Sequence, residues 1–223
     1  MEILGVILGI ILGWLLGLLT KPISSRIERK YIKEDSEFAI FSELKNLAVQ
    51  LIFTSFKIKQ HLGVLDKQSL GWILEMYQKY GADNNKQLIS STQEILNKSD
   101  DEFEKGINHF KAAENMSLSL KTFSTPLIDS LLKNISIFGS EFQRKILGIK
   151  AQVNMLNQEI ENSKNYFYLT FNPESLSANK DILHTNMKNS YNQIQEKCKY
   201  IVDLISEIIN FKNKQLPRMV ILA

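Results

Sequence analysis

The chain has 223 residues, with 27 Lys and Arg against 24 Asp and Glu and a formal net charge of +3 at neutral pH. Arginine is rare, and beyond position 35 the lysines are interleaved with acidic residues. Nucleic-acid-binding proteins usually carry a clustered basic face that includes arginine, so the composition argues against that class. Cys198 is the single cysteine, which excludes an intramolecular disulfide within this sequence.

The first predicted element is a transmembrane helix over residues 1–20. Residues 3–20 contain no charge and no proline and are apolar on every side of a helix. At 1.5 Å per residue they extend about 27 Å, close to the roughly 30 Å thickness of a bilayer core. A cleaved signal peptide is the main alternative, but it requires a basic start and a small-residue cleavage motif, which are absent. The sequence therefore predicts a retained signal-anchor.

A basic juxtamembrane segment over residues 21–35 predicts the orientation of this anchor. Its positive charges are Lys21, Arg26, Arg29, Lys30 and Lys33. Because Lys and Arg accumulate on the cytoplasmic side of a span, we expect a single-pass protein of a bacterial inner membrane with its N terminus outside and the bulk of the chain cytoplasmic. The same residues are predicted to contact membrane lipid. An inverted topology would instead make the following domain a periplasmic sensor.

Four glycines recur at every fourth position of the predicted anchor: Gly5, Gly9, Gly13 and Gly17. Such a glycine zipper allows two helix backbones to approach closely in lipid. It predicts packing against another transmembrane helix, from a second copy or from a partner protein. The alternative is that glycine is simply frequent in transmembrane helices.

Residues 36–214 are predicted to form a soluble, all-α bundle. No sustained apolar–polar alternation indicates strands, and a short aromatic cluster at 166–169 is the single candidate for extended structure. One helix is predicted over 22–62 and ends at Gly63. A short helix follows, capped by Asp66 and ended by Gly81, and another is predicted over 84–97.

The second half begins with a capping box from Ser99 to Glu102, which starts a helix extending to about residue 123. Two long helices follow over 126–168 and 176–213, each with apolar residues every three or four positions. A turn at Asn172 and Pro173 predicts that they form an antiparallel hairpin. The expected architecture is an elongated antiparallel bundle of about four long helices plus short ones. The stripes also fit a coiled coil between chains, because both need the same apolar seam.

No catalytic, cofactor or metal site is predicted. The histidines stand at His61, His109 and His184, without the spacing that brings metal ligands together. Cys198 falls on an apolar stripe, where a thiol behaves as a small buried hydrophobe. The acidic cluster at 100–104 lies at a predicted helix start, where carboxylates favour the helix dipole.

The apolar tail over residues 215–223 contains Pro217, which ends the preceding helix. The tail either packs back on the bundle or serves as a peptide that another protein recognises. The sequence leaves both possibilities open.

These patterns predict a membrane-tethered, non-enzymatic interaction or scaffold protein, acting as a subunit or adaptor at the cytoplasmic face of a membrane. No cofactor and no small-molecule substrate is expected. The alternative function is a self-assembling, membrane-active effector or sensor that uses the glycine-striped helix.

Overall fold

A computed structural model describes residues 2–81, 86–110 and 118–215. Every regular element within these ranges is helical, which confirms the all-α class and the helical bundle. The elements are α1 (Glu2–Leu62), α2 (Lys67–Tyr80), α3 (Lys86–Leu96), α4 (Asp100–Phe110), α5 (Pro126–Leu131), a 3₁₀-helix (Leu132–Ile137), α6 (Ser140–Leu169) and α7 (Pro173–Gln215).

The structure contradicts the predicted membrane localisation. Among the residues that the structure describes, no helix is both long enough and apolar enough to cross a bilayer. The prediction of a single-pass membrane protein with an outside N terminus is therefore wrong.

Helices α1, α6 and α7 build the core. The side chains of Ser55 and Gln195 lie 3.4 Å apart, and the ring of His61 contacts that of Tyr191. These contacts place α1 antiparallel to α7, and α6 pairs with α7 as the predicted antiparallel hairpin. Both apolar stripes face the interior of this chain. Their buried members are Ile146, Ile149, Val153, Leu156 and Ile160 on α6, and Leu183, Met187, Tyr191, Ile194, Cys198, Ile201, Ile205 and Ile208 on α7.

The local signals that end and begin helices are confirmed. Gly63 follows α1 with a φ of 67°, a left-handed conformation that suits glycine. Asp66 caps α2 by accepting the backbone N–H of Ser69 at 2.6 Å. At the start of α4, Ser99 and Glu102 form the predicted capping box, with the hydroxyl of Ser99 donating to the carboxylate at 3.1 Å.

Two of the predicted long helices are wrong in extent. The helix predicted over 126–168 is interrupted, because Phe138 adopts an extended conformation and α6 begins at Ser140. The break falls where the apolar pattern inserts an extra four-residue step, and it lets Phe138 bury its ring 5.2 Å from that of Phe142. The helix predicted to reach residue 123 does not do so, because residues 118–125 are not helical. Three long helices, not four, therefore lie in the described part of the chain.

Candidate interaction surface

Residues 118–125 form a non-helical segment, here called the strap, that runs antiparallel to α6. Its side chains divide into a buried set and an exposed set. Leu120, Phe123 and Thr125 are buried, whereas Ser119 and Lys121 face solvent. The strap thus packs one side against the bundle and leaves the other side open.

Two side chains hold the strap in place. Each of them forms hydrogen bonds with both the N–H and the carbonyl of a single strap residue. The N–H of Leu118 donates to the hydroxyl of Tyr191 at 2.9 Å, and that hydroxyl donates to the carbonyl of Leu118 at 3.1 Å. Asn157 does the same for Phe123, accepting from its N–H and donating to its carbonyl at 2.8 Å each. These side chains therefore take the place that a neighbouring strand would occupy in a sheet.

The C-terminal end of the strap is fixed by charged side chains where it enters α5. The carboxylate of Glu43 on α1 accepts the N–H groups of Leu127 and Ile128 at 2.9 and 2.7 Å. It supplies the acceptor that Thr125, the N-cap residue of α5, does not provide. Lys150 on α6 donates to the Thr125 hydroxyl at 3.1 Å. Side chains from three core helices therefore position the strap.

Between the two backbone anchors, the strap has an unpaired edge. Within the described residues, no hydrogen bond engages the backbone groups of residues 119–122. Backbone groups left open along a non-helical segment can pair with an extended chain. We call residues 119–122 the free edge.

A cavity of about 570 Å³ lies beside the free edge. Its walls come from α6, through Ser163, Lys164, Phe167 and Tyr168, and from Tyr191 on α7. The walls are both polar and apolar, so the cavity suits a side chain of mixed character rather than a purely apolar group.

The α6–α7 connection carries exposed aromatic side chains next to this cavity. Tyr168 is 66% exposed and Phe171 is 65% exposed, and the ring of Phe171 stacks edge-on against Phe167 at 4.8 Å. We call Phe167, Tyr168 and Phe171 the aromatic turn. The sequence showed this cluster only as a candidate for extended structure, whereas the structure places residues 166–169 in the last turn of α6.

The predicted glycine zipper finds no packing partner in the described part of the chain. A Cβ atom placed on Gly13 or on Gly17 would meet no atom within 4 Å. Gly5 and Gly9 lie outside the residues whose surroundings the structure describes. Close packing through this stripe stays a prediction.

The basic residues after position 20 lie on the surface of α1. Arg26, Arg29 and Lys30 are exposed, and Lys30 lies 3.9 Å from the carboxylate of Glu34. Lys33 is half-buried and makes a similar contact with Glu37 at 3.9 Å. The side chain of Lys21 lies outside the described residues. Acidic neighbours one turn away thus offset part of the positive charge that the sequence assigned to lipid contact.

The histidines do not converge. His61 contacts Tyr191, and burial lowers the pKa of its imidazole. His184 is half-buried on α7, and the side chain of His109 lies outside the described residues. Among the residues that were described, no three groups of the metal-binding types come together.

Cys198 is completely buried between the core helices, and burial raises the pKa of its thiol. Alkylation requires an exposed thiolate. We therefore expect iodoacetamide to modify the folded protein roughly a hundredfold or more slowly than the urea-unfolded protein, because labelling must wait for the core to open. Mass spectrometry of timed samples measures both rates. Equal rates would show that the thiol is accessible.

Comparisons of the chain with models of protein families, with curated proteins and with solved structures find no match. The function must therefore be argued from the strap, the cavity and the aromatic turn.

Proposed function

We propose that this chain is a non-enzymatic interaction protein that binds an extended segment of a partner protein. The partner segment pairs with the free edge of the strap and places a side chain in the adjoining cavity. The observation that carries the proposal is the coincidence of unpaired backbone groups at residues 119–122 with exposed aromatic side chains at the aromatic turn. Each feature alone is common on protein surfaces.

The exposed rings supply the binding energy in this proposal. Tyr168 and Phe171 together present a large apolar area to water, and burial contributes about 25 cal/mol for each Å² removed from solvent. Aromatic residues are enriched at the centres of protein interfaces and are frequent hot spots. Pairing with the free edge then supplies backbone hydrogen bonds that fix the orientation of the partner segment.

The charges around the cavity favour an acidic partner segment. Lys121 and Lys164 both line the cavity. Lys164 already contacts the carboxylate of Glu161 at 2.7 Å, whereas no ion pair engages Lys121 within the described residues. An acidic side chain of the partner segment would therefore pair with Lys121.

Site-specific photo-crosslinking in intact cells tests the proposal. A photoreactive amino acid replaces Thr122 at the free edge, and the matched control carries it at Ser136, an exposed position on the 3₁₀-helix. We expect Thr122 to yield a reproducible crosslink to one different protein that Ser136 does not yield. The double variant Tyr168→Ser/Phe171→Ser should reduce this crosslink by about tenfold or more, because hot-spot aromatics contribute 2 kcal/mol or more each. Tyr200→Ser, at an exposed tyrosine of α7, should leave it unchanged.

Three outcomes would overturn the proposal. The first is that the probes at Thr122 and Ser136 crosslink to the same proteins with equal yield. The second is that the probe at Thr122 crosslinks only to further copies of this chain. The third is that the double variant crosslinks as well as the original protein.

A further inference from the structure

A second cavity lies where α1, α2, α3 and α4 meet, and its lining shares no residue with the cavity beside the strap. Its volume is about 320 Å³, at the small end of the roughly 300–1,000 Å³ range of ligand sites. The lining is apolar and consists chiefly of Phe56, Leu65, Leu70, Ile95, Phe103 and Ile107. Such an apolar lining gains free energy when an apolar guest covers it.

Lys67, the first residue of α2, holds the wall of this cavity in place. Its ammonium group donates to the carbonyl of Lys98 at 2.7 Å and pairs with the carboxylate of Asp100 at 2.6 Å. The hydrogen bond and the charge of Lys67 lower the pKa of Asp100. The same ammonium lies 5.7 Å from the ring centre of Phe103. Three contacts thus tie the α3–α4 turn to α2, so the cavity is formed before any ligand enters.

Gly106 has no side chain, so the backbone of α4 itself forms part of the cavity wall at this position. A Cβ atom built on this glycine would meet nothing within 4 Å, although Gly106 is half-buried and lines the cavity. The space beside it is therefore available to a ligand. It can equally be filled by a larger side chain at this position.

The polar groups of the cavity lining are Gln60, Lys98 and Glu102. The carboxylate of Glu102 accepts the hydroxyl of Ser99 at 3.1 Å in the capping box. Within the described residues, neither the ammonium of Lys98 nor the side-chain amide of Gln60 has a hydrogen-bond partner. The ammonium of Lys98 is exposed, and together with the amide of Gln60 it offers hydrogen-bond donors to a carboxylate beside the cavity.

We propose that this cavity binds a medium-chain fatty acid, with its unbranched tail among the apolar residues and its carboxylate at Lys98 and Gln60. If each water-sized group occupies about 30 Å³, the cavity accommodates a tail of about ten carbons. This binding site is separate from the strap, and it does not depend on the proposed partner.

Isothermal titration calorimetry of the full chain with decanoate tests the site. We expect saturable binding of one decanoate per chain. Gly106→Leu should abolish it by filling the cavity, and it should not destabilise the fold, because leucine favours helices more than glycine does. Gly148→Leu is the matched control, since Gly148 is an exposed helical glycine with nothing within 4 Å of its Cβ position. Circular dichroism confirms that both variants are folded.

Two further measurements test whether the carboxylate of the ligand is recognised: binding of decanol, which lacks the carboxylate, and the variant Lys98→Gln, which lacks the ammonium. Decanol should bind more weakly than decanoate, and Lys98→Gln should remove that difference. Ile107→Trp provides a second way to fill the cavity should Gly106→Leu not fold. The proposal is overturned if decanoate shows no saturable binding, if folded cavity-filling variants bind it as well as the original chain, or if decanol binds as tightly as decanoate.

Discussion

Replacing Leu51 with alanine should lower the free energy of unfolding by about 2–5 kcal/mol. Leu51 is fully buried on α1 among the residues that pack against α7. Truncation removes apolar contacts and leaves a space that neighbouring side chains fill only in part. Urea denaturation followed by circular dichroism measures the change.

Phe53→Ala is the matched control, two residues away on the same helix. Phe53 is larger than leucine but 45% exposed, so its truncation should cost much less. If Leu51→Ala were no more destabilising than Phe53→Ala, α1 would not be part of the core.

Replacing Glu43 with alanine should destabilise the protein by about 3 kcal/mol, because hydrogen bonds to a charged group contribute roughly 1.5–3 kcal/mol each. The buried carboxylate accepts the N–H groups of Leu127 and Ile128, and its loss leaves the start of α5 without an acceptor. Glu43→Gln should cost less, because the amide retains one acceptor oxygen. Urea denaturation gives the free energies, and hydrogen exchange should show faster exchange at residues 127–128.

Glu196→Ala controls for the loss of a negative charge, since Glu196 is exposed on α7. A Glu43→Ala protein that is as stable as Glu196→Ala would mean that the carboxylate does not hold α5.

Features that depend on neighbours in sequence were predictable. Gly63, Asp66 and the capping box of Ser99 and Glu102 act within one helical turn, and the structure has all three as predicted. The apolar stripes on α6 and α7 were also predictable from the sequence, because a period of three to four residues places their side chains on one helix face.

The strap was not predictable, because its anchors are distant in sequence. Tyr191 is 73 residues from Leu118, and Asn157 is 34 residues from Phe123. Nothing local distinguishes residues 118–125 from the end of an amphipathic helix. The side chains that replace their helical hydrogen bonds are brought close only by the folded bundle.

The membrane prediction rested on a marginal feature. An apolar run of about 27 Å lies at the lower limit for a bilayer span. In the structure α1 is one continuous helix, Glu2–Leu62, that passes through a charged section into residues packed in the core. The candidate site was only partly visible in the sequence, since its aromatic residues were apparent but their exposure was not.

Hydrogen–deuterium exchange of the full chain, alone and with the protein crosslinked through Thr122, tests the central claim most directly. If the partner pairs with the free edge, residues 119–122 exchange freely in the isolated chain and become protected in the complex. Protection confined to other helices, with residues 119–122 unchanged, would contradict it.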